Sequence, residues 1–346
     1  MESIRLGRSG LQVSRVGFGG IPIQRLDEND AVRVVRRALD LGVDWIDTAH
    51  GYGTSEQRIG KALKGRDRSA VRVFTKGPAT DPESIRRQVE LSFERLGIDV
   101  IDLYQFHFVK SAEAWQQMLS NGTVDVVLRM KSDGRIRHIG ASAHSPGAAH
   151  AVITHPAIDV LQYPFNLIMA GDAKTRAVLD DCVSRDVGFI AMKPFGGGVL
   201  TDADLCIPFL LQYPRIVLDP GFERTEQVEQ VVSIAEKPAT LTDRQNELIR
   251  ELRDELGTRF CRRCGYCEPC PEGVNISFAM NLPSFFKRFP EERLMAGSFA
   301  DRAATYSGCT DCGQCEEKCP YELPIREMMR EAMDHYERRR RVYANG

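Results

Sequence analysis

Apolar positions in the first two thirds of the chain gather into short β-branched or apolar runs, each ending at a small or polar residue. The runs at 16–19, 45–48, 71–76, 101–107, 136–142, 160–162, 187–193 and 216–221 predict eight buried strands. Their ends, marked by Gly19, Asp47, Lys76, His107, Ser142, Gln162, Lys193 and Gly221, recur on average every 29 residues or so, close to the roughly 31 of a βα unit in an eight-unit barrel. Between them lie helical patterns. Asp81-Pro82-Glu83 offers an N-cap, a proline at the first helical position and an acidic first turn, and Ile85, Val89, Phe93 and Leu96 then form one apolar stripe that stops at Gly97. Residues 27–41 and 172–182 repeat that design.

Near-continuous apolar strands alternating with helices imply a parallel sheet covered by helices, and eight units are enough to close it. The fold class expected is therefore α/β, a (β/α)8 TIM barrel over residues 1–236, with a hairpin at 3–14 closing its bottom. Pro238 marks a boundary. A linker helix is expected within 237–256, followed by a small Cys-rich domain over 257–346 with a final helix at 325–341. Residues 281–302 read as a polar, mixed insertion between two Cys clusters.

Charge and composition narrow the function classes. With 46 basic and 48 acidic residues among 346, a net charge of -2 gives no overall electrostatic case for nucleic acid or anionic lipid. Hydrophobic residues at 42% and charged residues at 27% suit an ordinary soluble globular chain. No stretch reaches the 18 or so apolar residues of a membrane helix, and the N-terminus lacks a signal-peptide pattern. A cytoplasmic location is expected. Arg338 to Arg341 read as basic residues complementing a helix dipole.

At the carboxyl ends of the second, third and fourth strands stand Asp47, Lys76 and His107, with Tyr52 in the loop after Asp47. Barrel chemistry sits at those ends. An ammonium beside a phenol lowers its pKa toward useful proton transfer, an Asp keeps that ammonium charged and placed, and a His hydrogen-bonds a carbonyl oxygen. Any one of them alone would read as an ordinary structural polar group; the four at successive strand ends do not.

These segments resemble the aldo-keto reductase superfamily. The likeness runs through Val16-Gly17-Phe18-Gly19, WIDTAHGYGTSEQRIGKAL at 45–63, FTK at 74–76 and IDLYQFH at 101–107. It continues through GRIRHIGAS at 134–142, LQYPFN at 161–166 and MKPFGGG at 192–198. The resemblance implies that Asp47, Tyr52, Lys76 and His107 form a catalytic tetrad, with Tyr52 as general acid or base, and that hydride passes between a nicotinamide and a small aldehyde, ketone or alcohol. It implies nucleotide contacts at Gly19, Ser142 and Gln162, although Ala143 stands where an Asn is common. Met192 replaces a stacking Tyr, Lys193 could reach the pyrophosphate, and Gly196 to Gly198 either admit phosphate to the backbone or form a plain flexible loop. The adenosine phosphate falls to Gly221, Glu223, Arg224 and Gln227. A carboxylate suits a ribose hydroxyl and an Arg suits a phosphate, which leaves NADP(H) or NAD(H) open.

Eight of the ten cysteines lie between Cys261 and Cys319. Cys309-x2-Cys312-x2-Cys315-x3-Cys319-Pro320 is the bacterial ferredoxin run, whose fourth Cys ligates the other cluster. Cys261-x2-Cys264-x2-Cys267-x2-Cys270-Pro271 is the same device one residue shorter. Two 4Fe–4S clusters follow, one on Cys261, Cys264, Cys267 and Cys319, the other on Cys309, Cys312, Cys315 and Cys270. Zinc is disfavoured because its sites use separated Cys pairs, and disulfides by a reducing compartment. Cys182 and Cys206, outside these runs, read as buried packing. A superfamily subgroup with a C-terminal ferredoxin-like domain shares CxxCGYCxPCP.

The expected function is a nucleotide-dependent oxidoreductase. The alternative is an iron–sulfur redox sensor or electron-transfer protein, working with a redox partner and using the barrel as a nucleotide-binding scaffold. Cubane clusters pass single electrons and nicotinamides pass hydride, and no sequence feature indicates a flavin to couple them. The module could instead be structural or cover the barrel mouth. Trp115 and Phe108 are candidates to line the pocket, with core packing as their ordinary reading.

Overall fold

The computed structural model describes residues 1–345. A hairpin of β1 (Ser3–Arg5) and β2 (Gln12–Ser14) comes first. Eight parallel strands follow: β3 (Phe18–Gly19), β4 (Trp45–Asp47), β5 (Arg72–Gly77), β6 (Ile101–Val109), β7 (Ile136–Ala143), β8 (Val160–Pro164), β9 (Gly188–Met192) and β10 (Ile216–Asp219). They pair in sequence order, and bridges from Val16 to Leu218 and from Gly19 to Gly221 join the two ends. The sheet is thus a closed barrel, as the spacing of apolar runs predicts.

The helices form for the reasons legible in sequence. Helix Pro82–Leu96 starts where the Asp81 carboxylate accepts the Ser84 N–H at 2.9 Å and stops at Gly97 with φ 64°. Asp27 and Asp172 cap helices Glu28–Asp40 and Ala173–Ser184 in the same way. The expected hairpin closes the barrel bottom. Leu6 and Val13 pack with Trp45, Phe74, Leu103, Val160, Ile190 and Val217 from the barrel interior, and the Trp45 indole donates to Ser14 O at 2.9 Å. Cys182, Cys206 and Trp115 are buried in the main core.

Two expectations about the remaining chain change. The connecting helix, Asp243–Gly257, packs Leu248, Ile249, Leu252 and Leu256 against the barrel core. Residues 281–302 are no polar insertion. Helix Ile276–Phe286 buries Phe278, Leu282 and Phe285 and, with Leu294 and helix Ile325–Asn345, forms the core of the Cys-rich region. Its polar residues had masked a stripe of aromatic ones, and those polar residues turn toward the barrel. Gln24 Nε2 donates to Arg288 O at 3.1 Å, Ser284 Oγ to Gly197 O at 2.8 Å and Arg293 to Gly51 O at 3.0 Å. The Cys-rich region is thereby clamped onto loops at the carboxyl ends of β3, β4 and β9. Arg339, in the last turns of the final helix, pairs with Glu291 at 2.6 Å. Among the described residues no helix is long and apolar enough to cross a membrane.

Candidate active site at the barrel mouth

Asp47 ends β4 and Lys76 lies near the end of the adjacent β5, so neighbouring parallel strands deliver a carboxylate and an ammonium side by side. They are 2% and 1% exposed and form an ion pair. Lys76 Nζ also donates to Thr48 O at 2.9 Å, and Gln105 Nε2 donates to the other Asp47 oxygen at 3.2 Å. A tight turn places Tyr52, whose N–H bonds Ala49 O at 2.9 Å. Its ring stands 5.1 Å from the Lys76 ammonium and edge-on to His107 of β6, centroids 5.7 Å apart. The structure therefore brings Asp47, Tyr52, Lys76 and His107 together.

One expectation about their electrostatics is corrected. Lys76 does pull the Tyr52 phenol down, but burial acts more strongly, with Asp47 and Asp219 adding to it, and the net direction is upward. Burial disfavours the Lys76 ammonium, yet Asp47, Tyr52 and Asp219 together hold its pKa above the ordinary value. Burial first, then Lys76 and Arg263, push His107 well below its usual pKa, so its imidazole is neutral near pH 7.

A cleft of about 660 Å3 opens beside this group. Of the nucleotide positions implied by resemblance, Gly19, Gln162, Met192, Lys193, Gly221, Glu223, Arg224 and Gln227 all line it, together with Asp47 and Tyr52. Ser142 does not; it is buried and its Oγ accepts the Phe108 N–H at 2.8 Å. Lys193 turns its ammonium to His144 Nε2 at 2.7 Å rather than along the cleft. Gln227 Oε1 accepts the N–H groups of Glu223 and Arg224 at 2.9 and 3.1 Å, which caps helix Thr225–Ala235. Glu223 pairs with Arg25 at 2.7 Å. The loop glycines serve a close approach of another kind: a Cβ at Gly197 would meet Ser284 Oγ at 2.6 Å and one at Gly198 would meet Lys287 at 2.8 Å. At the base, Gln162 Oε1 and Asp219 Oδ1 are buried acceptors without hydrogen-bond partners, which fits a ligand that brings N–H donors, such as the amino group of a carboxamide.

Sequence reading missed several residues. Asp219 ends β10 and accepts from Gln162 at 2.8 Å; it satisfies the strand-end rule, but the apolar run in the sequence extends two residues past it to Gly221. His144 lies two residues beyond Ser142 in the same strand end. Phe286, Lys287 and Arg288, which wall the cleft from the Cys-rich region, carry no local signal, because only docking brings them there.

The cysteines surround two cavities. Cys261, Cys264, Cys267 and Cys319 line one; Cys270, Cys309, Cys312 and Cys315 line the other, with Cys267 between them. Both follow the crossed pattern of the two runs. Among the described residues no three His, Cys, Asp or Glu side chains converge on a point suited to a single metal ion. Thiols spread around a space suit a cluster better than zinc.

Known proteins place this architecture. The model for the Aldo/keto reductase family matches residues 15–206, and that for the 4Fe-4S dicluster domain matches residues 260–323. Probable aldo-keto reductase 1 of Glycine max is 30% identical over 223 residues, covering 57% of this chain and 60% of that protein. L-galactose dehydrogenase of Arabidopsis thaliana is 30% identical over 230 residues, 58% of this chain and 68% of its own length. NADH-specific methylglyoxal reductase of Escherichia coli K12 is 31% identical over 232 residues, 58% of this chain and 69% of its own. The chain thus spans about three fifths to two thirds of these relatives' lengths. The holo form of an aldo-keto reductase from Bacillus halodurans superposes with a TM-score of 0.64 at 24% identity, covering 73% of this chain and 96% of that one. An aldo-keto reductase from Klebsiella pneumoniae in complex with NADPH gives 0.61 at 20%, over 73% and 95%; at these identities the likeness is one of fold. With one family model matching more than half of its residues, the chain belongs to the Aldo/keto reductase family of oxidoreductases.

Proposed function

We propose that this oxidoreductase interconverts a small aldehyde or ketone and its alcohol with a nicotinamide nucleotide, and that its Cys-rich region holds two 4Fe–4S clusters. The observation that carries the reading is the Tyr52 ring, held between the Lys76–Asp47 ion pair and a neutral His107 on the wall of the cleft. When bound, the nucleotide supplies hydride at C4 of its nicotinamide ring. Gly19, Gln162, Met192 and Gly221 would hold it, the unpartnered Gln162 Oε1 meeting its carboxamide. In reduction, Tyr52 Oη gives its proton to the carbonyl oxygen, and one ring nitrogen of His107 donates a hydrogen bond to that oxygen. Lys76 stabilises the phenolate left behind, and Asp47 keeps Lys76 charged. Replacing Tyr52 with Phe is expected to cut hydride transfer by orders of magnitude, about 10^2- to 10^4-fold, while nucleotide binding stays within a few-fold; near-normal turnover would sink the assignment.

NADP(H) is the proposed nucleotide. Arg25 neutralises Glu223, which leaves Arg224 to meet a 2′-phosphate. Comparing KM for NADPH and NADH, with Arg224→Gln expected to erode the preference, tests this choice. The clusters, as one-electron carriers, are assigned no part in the hydride step. What the clusters contribute in this reading is structural: bound by the thiols of Cys261, Cys264, Cys267 and Cys319, and of Cys270, Cys309, Cys312 and Cys315, they hold the region that walls the cleft. Anaerobic titration with nucleotide should show binding without bleaching of the clusters; bleaching would favour the electron-transfer reading.

A further inference from the structure

Arg263 stands between Cys261 and Cys264 and lines the cavity of that thiol set, while its guanidinium packs on aromatic rings beside the barrel mouth. It lies 5.6 Å from the centre of the Phe108 ring and 5.2 Å from that of Phe285, whose ring also faces Arg288 at 5.4 Å. Phe108 follows His107 in β6, and its ring meets His144 edge-on at 4.6 Å. Lys193 closes the group through its contact with His144. Phe108, Lys193 and Arg263 all have left-handed backbone, with φ of 61°, 57° and 59°, a conformation that side-chain-bearing residues disfavour and that clusters where function needs it.

No carboxylate among the described residues balances the positive charge collected here; the anionic groups nearest in sequence to Arg263 are the flanking thiols of Cys261 and Cys264, as ligands of the proposed cluster. Arg263 Nε is buried without a hydrogen-bond partner, and Arg288 donates from Nε to Ser284 O at 3.1 Å. Among the described residues no carboxylate pairs with Arg263, Arg288 or Lys193. The three acids of the cleft are engaged elsewhere, Asp47 by Lys76, Asp219 by Gln162 and Glu223 by Arg25. Burial, then Arg263, brings Arg288 down to about 9, as expected of two cations crowded together away from water. Thiolates present no planar pair of oxygens to a guanidinium, whereas a carboxylate takes two parallel N–H···O bonds from it.

Resting on the reading of this mouth as a carbonyl-reducing site, we propose that the substrate carries a carboxylate, an oxo acid and its hydroxy acid, with Arg263 gripping that carboxylate and Arg288 adding to the field. The balance is that of the proposed reaction: hydride goes to the carbonyl carbon, the Tyr52 proton to its oxygen, and the carboxylate is unchanged. The Cys-rich region would then supply the specificity of the barrel site as well as its cover.

The test uses anaerobically purified full-length protein, with pyruvate and levulinate and their neutral methyl esters as probes. Wild type should prefer the acids. Arg263→Gln should lower the acid-to-ester ratio of kcat/KM by about 10- to 100-fold, mostly through KM, and Arg263→Lys, which keeps the charge and loses the fork, by less. If the Gln variant does not retain its iron, the wild-type ratio and the Lys variant decide. A wild type that treats acid and ester alike overturns the proposal. So does a Gln variant whose ratio is unchanged while its affinity for NADPH or its visible spectrum shifts, since the guanidinium then serves the nucleotide or the cluster. A second arm needs no turnover: lactate binding to nucleotide-saturated Tyr52→Phe protein, measured by calorimetry, should be lost when Arg263→Gln is added. Binding through Arg263 without carbonyl reduction would sink the hydride reading and keep this one; reduction with an Arg263-independent ratio would do the reverse.

Discussion

Tyr52 shows how far a residue's chemistry depends on what surrounds it. Sequence placed it beside Lys76 and Asp47, from which a lowered pKa follows, yet burial outweighs the ammonium and raises it. A raised pKa keeps the phenol protonated at neutral pH, the state that donates in carbonyl reduction. With Tyr52 as the donor, reduction should hold level through neutral pH and fall only as pH rises past about 10, while alcohol oxidation, which needs the phenolate, should climb over the same range. A pH profile of kcat in both directions checks this, and a reduction rate that falls between pH 6 and 8 would contradict it. Lys76→Met removes the one strong pull toward phenolate, so the oxidation limb should move further alkaline. The tetrad was legible because each member sits at a strand end or in its loop. Asp219 and His144 obey the same rule and were passed over, whereas Arg263 and Arg288 lie in another region of the chain and obey none.

At the scale of elements, the caps and close approaches hold the strand ends in place. Asp81→Ala removes the side-chain acceptor of the Ser84 N–H and should cost about 1 kcal/mol, seen as a lower midpoint in chemical unfolding. Gly60 in helix Ser55–Leu63 is a sharper case. A Cβ there would fall 2.6 Å from Leu96 O at the end of helix Pro82–Leu96, and a backbone oxygen cannot give way as a side-chain tip can. Gly60→Ala should therefore destabilise by about 1 to 3 kcal/mol even though alanine is the better helix former; an unchanged or raised Tm would contradict the contact. The strands and the barrel helices at 28–40, 82–96 and 173–184 could be read to within about two residues, because their apolar period matches their environment on every side. Helix Ile276–Phe286 could not, since Pro283 lies inside it and its polar residues bond protein rather than water, Ser284 to the barrel loop at Gly197 and Asn281 to Cys261 and Ser277.

For the whole molecule, the Cys-rich region and the barrel behave as one site. Ser284, Lys287, Arg288 and Arg293 bind loops after β3, β4 and β9, and Phe286, Lys287 and Arg288 form part of the cleft wall. Metal binding and folding are coupled in small thiol-rich modules, so stripping iron anaerobically with a chelator should loosen these clamps. The expected result is faster proteolysis of residues 194–201 and 257–324 and weaker nucleotide binding, with the secondary structure of the barrel retained; unaltered nucleotide affinity would show that the region only caps the mouth. The amino-acid sequence by itself determined the barrel, the tetrad and the two thiol runs, because each rests on local period or spacing that neighbouring residues enforce. Only the tertiary structure decided what the region between those runs does. Its aromatic and basic side chains acquire a role solely by docking against distant parts of the chain, a contact that sets Arg263 on Phe108 and brings Arg288 into the cleft wall with Tyr52, and for which no local pattern exists.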